Sequence, residues 1–245
     1  MKSPALLALA RSLLMYYAIP RRAAGWRKLY GLFISPGDLC FDLGAHVGNR
    51  SAAMLALLAR VVAVEPQPDY AQVLRRFYGR NPKFTLVNAA VGRQSGHARL
   101  LVSTRNPTVS TLSLDWVTEV STSPGFADVA WDTHLDTEMI TLDGLISAHG
   151  LPAFCKIDVE GSELDVLLGL SQSIPALSYE YIPAAIDRAL QCMQRLGQLA
   201  AYRFNLVEGE RPHFAFADWV EPSILAARLE SFPRTARAGE VFARI

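Results

Sequence analysis

Apolar residues along this chain fall into short continuous runs, and between the runs they recur at helical spacing. The runs at 39–43, 61–64, 84–91, 154–159 and 177–181 are as short as strands covered on both faces. The segments 52–58, 70–78, the stretch after 159 through 170, and 184–196 carry the helical pattern. Two further strand-like pieces, 202–207 and 241–245, flank a stretch containing Pro and Trp. This alternation predicts an α/β fold: a Rossmann-like, doubly wound, mostly parallel sheet with helices on both faces. Sheets of that kind bind ligands at the carboxyl ends of their strands, near the point where strand order reverses.

Two regions depart from the alternation. In 4–19, Leu6, Leu9, Leu13 and Tyr16/Tyr17 recur at helical spacing and predict an amphipathic helix packed on the domain. Arg11 interrupts the run. It falls short of the roughly 20 apolar residues of a spanning helix and lacks the unbroken core of a signal peptide. Peripheral membrane contact through this helix, helped by Arg21, Arg22, Arg27 and Lys28, is the alternative reading. Residues 103–136 are rich in Ser, Thr, Pro and Gly, yet Trp116, Phe126 and Trp131 are spread through them. Aromatics argue against disorder, and long irregular segments in compact domains are commonly functional. The expected organisation is a helical extension over 1–36 and a catalytic domain over 37–245, with an insertion at about 103–138 that shapes specificity.

Composition narrows the class. Of 245 residues 51% are hydrophobic and 19% charged, enough for one domain with a sizeable core. Lys and Arg number 24 against 23 Asp and Glu, so no general field draws in nucleic acid, and none is expected as a partner. Cys40, Cys155 and Cys192 form no CxxC pair. They read as buried thiols in a reducing cytoplasm, and a zinc site is not expected.

The first strand runs into Phe41-Asp42-Leu43-Gly44-Ala45-His46-Val47-Gly48-Asn49. Gly44 allows a sharp turn and a close backbone approach to a ligand. The N–H groups opening the next helix suit a carboxylate, and Asp42 suits an ammonium or sulfonium. A GxGxxG fingerprint is absent, because His46 occupies the middle glycine's place, and this weighs against a dinucleotide. The next strand ends in Glu65-Pro66, where a carboxylate can accept from both hydroxyls of a ribose. An exposed charge at a helix start is the plainer alternative there. Asn88, Ala89 and Ala90 then offer room and polar contacts for an adenine.

The fourth strand closes on Lys156-Ile157-Asp158-Val159-Glu160-Gly161-Ser162-Glu163. Three carboxylates and one ammonium at the ligand end of a buried strand are costly unless paired or used. Alternation puts Lys156, Asp158 and Glu160 on one side if the strand extends that far. A structural ion-pair network is the competing explanation.

Together FDLGAHVGN, AVEPQP, NAAVG, TLDGLI, FCKIDVEGSELDVLLGL and SYEY resemble the FkbM-type methyltransferase family, in order and at family-like spacing from about Asp38 to Glu180. KIDVEGxE is the most specific piece. The resemblance implies a seven-stranded class I methyltransferase-like sheet, S-adenosyl-L-methionine as methyl donor, and O-methylation of sugars, polyketides or similar natural products. By position it puts Asp42, Gly44, Ala45, His46, Gly48 and Asn49 in the methionine-end loop. Glu65 falls to the ribose with Pro66 beside it, Ala89 and Ala90 fall near the adenine, and Asp158 falls at the transfer site. The family often carries Asn where this chain has His46.

A hydroxyl acceptor needs its proton taken during attack. Asp158, Glu160 and His46 are the candidate bases in falling order of preference, with Glu180 positioned to orient substrate or base. A divalent cation on the acidic cluster is the less favoured route. The expected partner is a small-molecule or glycan acceptor. A nicotinamide-dependent oxidoreductase and a catalytically idle protein on the same fold are the rival readings.

Overall fold

The computed structural model describes residue 9, residues 11–14 and residues 20–245. Of the helix expected over 4–19, Leu9 and 11–14 are helical. Leu9 is buried against Val47 and Tyr70, with Leu13 packed beside them. Leu6, Tyr16, Tyr17 and the side chains of Arg21 and Arg22 lie outside the described residues. Among the described residues no helix is long and apolar enough to cross a membrane.

In chain order the elements are α1 (Pro20–Tyr30), β1 (Leu39–Leu43), α2 (Asn49–Leu55), β2 (Arg60–Val64), α3 (Pro68–Tyr78), β3 (Phe84–Val87), β4 (Ala90–Val91) and β5 (Gly96–Val102). Then come α4 (Leu114–Val120), β6 (Thr133–Ile140), α5 (Leu142–His149), β7 (Phe154–Ile157), α6 (Glu163–Leu168), β8 (Ala176–Tyr181), α7 (Ile186–Leu199), β9 (Arg203–Glu208), α8 (Pro222–Glu230) and β10 (Gly239–Arg244). Seven strands form one sheet in the order β3-β2-β1-β7-β8-β10-β9, and only β10 runs against its neighbours. Strand order reverses between β1 and β7, so a crevice opens there at the strands' carboxyl ends.

The helices form where local chemistry favours them. Pro68 opens α3, Asp69 sits in its first turn and Arg75 and Arg76 in its last, matching the helix dipole. Thr141 caps α5 by accepting from the Gly144 N–H. On α7 the buried Ala189, Cys192 and Leu196 share one stripe.

Each central strand is buried on both faces, and its residues divide by parity. Leu39, Phe41 and Leu43 join Val62, Val64, Ile157 and Tyr179 in one core. Cys40 joins Val61, Ala63, Phe154 and Phe242 with Tyr30 and Met54 in the other. The second parity also carries Asp42 and Lys156, which are register partners on β1 and β7. The three cysteines are buried and free.

Two expected strands change. The single strand expected over 84–91 breaks at Asn88-Ala89, and β4 leaves the main sheet to join β6 and β5 in a second one. The strand expected through 159 ends at Ile157, because Glu160 takes a left-handed φ of 54°. Residues 103–136, expected as an ordered insertion, hold α4 and the start of β6. Trp116 and Val120 dock there onto Ala184 and Ala185, with Phe126 and Trp131 packed alongside.

Candidate active site

A cleft of about 900 Å³, counting its open mouth, lies over the ends of β1, β2 and β7. Residues after β1 form its floor. The Gly44 and Ala45 N–H groups both donate to the Val64 carbonyl at 3.0 Å, which folds the loop back onto β2. Gly44 has φ 77°, and a Cβ there would stand 1.8 Å from the Asp158 carbonyl oxygen. Its necessity therefore comes from the crossing of the β1 and β7 loops, more than from ligand approach. A Cβ on Gly48 would strike the Leu74 and Tyr78 side chains of α3. Gly48 is not among the lining residues, whereas Gly44, Ala45, His46 and Asn49 are. His46 sits at φ 50°, a conformation Asn and His tolerate better than most residues.

Glu65 lines the cleft and is 3% exposed. Its Oε2 accepts from the His46 N–H at 2.8 Å and its Oε1 from the Gln67 N–H at 2.9 Å. These bonds aim the carboxylate and leave a lone pair on each oxygen. Burial pushes its pKa up to about 7, against the lowering pull of the two N–H donors. Pro66, Ala89 and Ala90 line the same region. Asn88 does not: its amide donates to the Glu65 and Pro66 carbonyls at 2.7 and 3.1 Å. It holds the turn after β2.

Asp42 lies behind the wall, fully buried and absent from the lining. Its Oδ2 accepts from the Ser51 hydroxyl at 2.5 Å. Its charge acts on Lys156, whose pKa rises because the nearby carboxylates, Asp158 foremost, outweigh its burial. Arg50 does line the cleft. Its Nη2 pairs with Glu240 at 2.6 Å and with Glu210 at 3.6 Å, and its guanidinium stands 3.3 Å over the Trp26 ring. The Nη1 of Arg50 is buried with no hydrogen-bond partner.

Past β7, Lys156 Nζ meets Asp158 Oδ2 at 2.7 Å. The Glu163 carboxylate accepts from the Val159 and Gly161 N–H groups at 3.0 and 3.3 Å, and the Glu160 carbonyl accepts from the Thr111 hydroxyl. These bonds hold the loop so that Asp158, Glu160 and Glu180 offer oxygens within 4.8 Å of one another. Glu160 thus reaches Asp158 through a left-handed turn, not by strand alternation. Burial first, then repulsion from the neighbouring carboxylates, raises the pKa of Glu160 and of Glu180 well above the carboxylate range. Burial pushes His46 down to about 4, so it is neutral at pH 7 and a weak base.

Arg50, Lys156, Gln67 and the wall segment at 107–112 were not among the expected site residues. Lys156 stood within the motif. Gln67 stood within AVEPQP, and the wall belongs to the insertion expected at about 103–138; Arg50 carried no sequence signal, because it is defined by Glu240 on the reversed strand β10. Gln67 Nε2 donates to the Pro107 carbonyl at 3.1 Å and ties that wall to the cleft.

A family model described as a methyltransferase FkbM domain matches residues 42–229. Similar solved structures include the precorrin-6Y C5,15-methyltransferase from Geobacter metallireducens GS-15, at 13% identity and TM-score 0.45, covering 91% of this chain and 86% of that one. An O-methyltransferase from Bacillus cereus in complex with SAH is similar at 11% identity and TM-score 0.46, covering 100% and 91%. An rRNA methylase from Streptococcus thermophilus is similar at 10% identity and TM-score 0.43, covering 89% and 92%. No curated protein matches the chain significantly.

Proposed function

Because the chain belongs to the FkbM methyltransferase family and is an S-adenosylmethionine-dependent methyltransferase, we propose that its acceptor atom is a hydroxyl oxygen of a sugar, glycan or other small natural product. The observation carrying this reading is that Asp158 and Glu160 line the same cleft as Glu65. A hydroxyl is a weak nucleophile until its proton is taken, and these carboxylates stand where they could take it.

The residues present fit the cofactor. Glu65 would hold the ribose diol through the free lone pair on each oxygen. The orphaned, buried Nη1 of Arg50 would meet the methionine carboxylate. Small Ala89 and Ala90 would flank the adenine. When bound, the cofactor supplies an electrophilic methyl group on a sulfonium. The protein's share is to align the acceptor in a water-poor site and to receive its proton on Asp158 or Glu160. Lys156 holds one Asp158 oxygen, which leaves Glu160 the freer proton acceptor.

Mass spectrometry of products from a library of hydroxylated small molecules and glycans tests the reading. Methyl on oxygen is the expected outcome, and Glu160→Gln should lower single-turnover transfer by about 10²–10⁴-fold. Methyl found only on nitrogen or carbon would overturn the proposal.

A further inference from the structure

We propose that Asp158, Glu160 and Glu180 form a divalent-cation site at the inner side of the cleft. The bound cation takes the acceptor hydroxyl and eases loss of its proton. The catalytic half of this rests on the O-methyl transfer proposed above; the binding half does not.

Three segments bring the ligands together. Asp158 follows β7, Glu160 lies in the left-handed turn beyond it, and Glu180 is on β8. Ile157 pairs with Tyr179, so the next residues along, Asp158 and Glu180, are brought side by side. Each of the three offers one oxygen, and all three oxygens lie within 4.8 Å of one another. A cation at about 2.1–2.6 Å from each oxygen needs them within roughly 3–5 Å, so the set fits as it stands.

Proximity of acidic groups is common without an ion. A second observation bears on this cluster: the Glu180 Oε2 is cut off from solvent and has no hydrogen-bond partner. A carboxylate oxygen in that condition calls for a proton or a cation. The nearest ammonium, Lys156 Nζ, is engaged by Asp158 at 2.7 Å, and one positive charge faces three carboxylates. A cation would give the orphaned oxygen its partner. An all-oxygen set selects hard ions such as Mg²⁺, Mn²⁺ or Ca²⁺. Asp158 keeps 29% of its side chain exposed and lines the cleft with Glu160, which leaves the ion an open side toward the acceptor.

The chemistry balances. The acceptor O–H bond breaks and its proton passes to a Glu160 oxygen and then to solvent. The oxygen forms a bond to the methyl carbon while the carbon–sulfur bond breaks, its electron pair staying on sulfur. The products are the methyl ether and S-adenosylhomocysteine.

Titrating Mn²⁺ into the full chain tests the site, by calorimetry and by the electron paramagnetic resonance signal of bound ion. One ion per chain is expected. Glu180→Gln should weaken Mn²⁺ binding by at least tenfold while S-adenosylhomocysteine binding stays within a few fold. Glu160→Gln, which touches a different segment, should do the same and stands in if the first variant fails to fold. Absent Mn²⁺ binding, or binding unchanged in both variants, overturns the site while leaving hydroxyl methylation to be judged on its own products. Mn²⁺ binding by a protein that methylates only nitrogen keeps the site and overturns the acceptor reading.

Discussion

Replacing Glu65 by Gln should flatten the pH dependence of the ligand-free fold's stability and weaken cofactor binding in the same protein. Burial lifts the Glu65 pKa from 4.5 to about 7, so the folded protein keeps a proton that the unfolded chain has released. That contribution is fully present below about pH 4.5 and is lost as pH rises through about 7. Between pH 5 and pH 8 the loss integrates to roughly 2–3 kcal/mol. Gln carries no charge and removes this slope. It also keeps one acceptor oxygen where two backbone N–H groups, of His46 and Gln67, each found one. One of those N–H groups then goes unpaired, at about 1–3 kcal/mol. The variant should therefore be less stable than wild type at pH 5 and equal or better at pH 8, so the two curves cross. Glu163, also pushed up to about 7, is present in both proteins and cancels in the difference. Urea melts without ligand across this pH range measure it. Loss of a charged bond to the ribose should cost about 1.5–3 kcal/mol, roughly ten- to a hundredfold in S-adenosylhomocysteine affinity, and Glu65→Ala should cost more than Glu65→Gln. Parallel stability curves would refute the buried, proton-holding carboxylate. A Glu65→Ala protein that binds with full affinity would refute the ribose assignment.

Other outcomes follow from the same geometry. S-adenosylhomocysteine at a hundredfold above its Kd should stabilise the protein by about 2.7 kcal/mol, read as a raised Tm. Asp158→Asn should destabilise the fold as well as slow transfer. It weakens the partner of the buried Lys156 ammonium, and losing a charged hydrogen bond in this part-buried pair costs about 1.5–3 kcal/mol; a melt unchanged from wild type contradicts that pairing. Gly44→Ala should fail to give soluble protein, since its Cβ would meet the Asp158 carbonyl at 1.8 Å. Arg50→Met should lower S-adenosylhomocysteine affinity about tenfold or more through the lost carboxylate contact, with unchanged calorimetric affinity as the result against it.

What the chain determines by itself is the local part of the structure. Short apolar runs broken at Gly44, Glu65 and Asp158 specify the central strands, because a strand buried on both faces tolerates little but apolar side chains. The same breaks locate the ligand end, since charge placed there is costly unless used. Glu65 could be read as a ligand residue because strand end and acidic side chain coincide within one short segment. The tertiary structure alone decides which charges meet. Asp42 turns behind the wall because its parity on β1 points it at Ser51 and Lys156, while Arg50 reaches the cleft through a partner on β10, 190 residues away. Glu160 joins Asp158 and Glu180 through a left-handed turn held by Glu163 and Thr111, which strand alternation does not foretell. Residues 107–112 become a cleft wall once Trp116 has docked on Ala184 and Ala185. Side-chain periodicity is a short-range property written into consecutive residues, whereas the pairing of buried charges depends on strand order and loop docking, which bring together residues far apart in the chain.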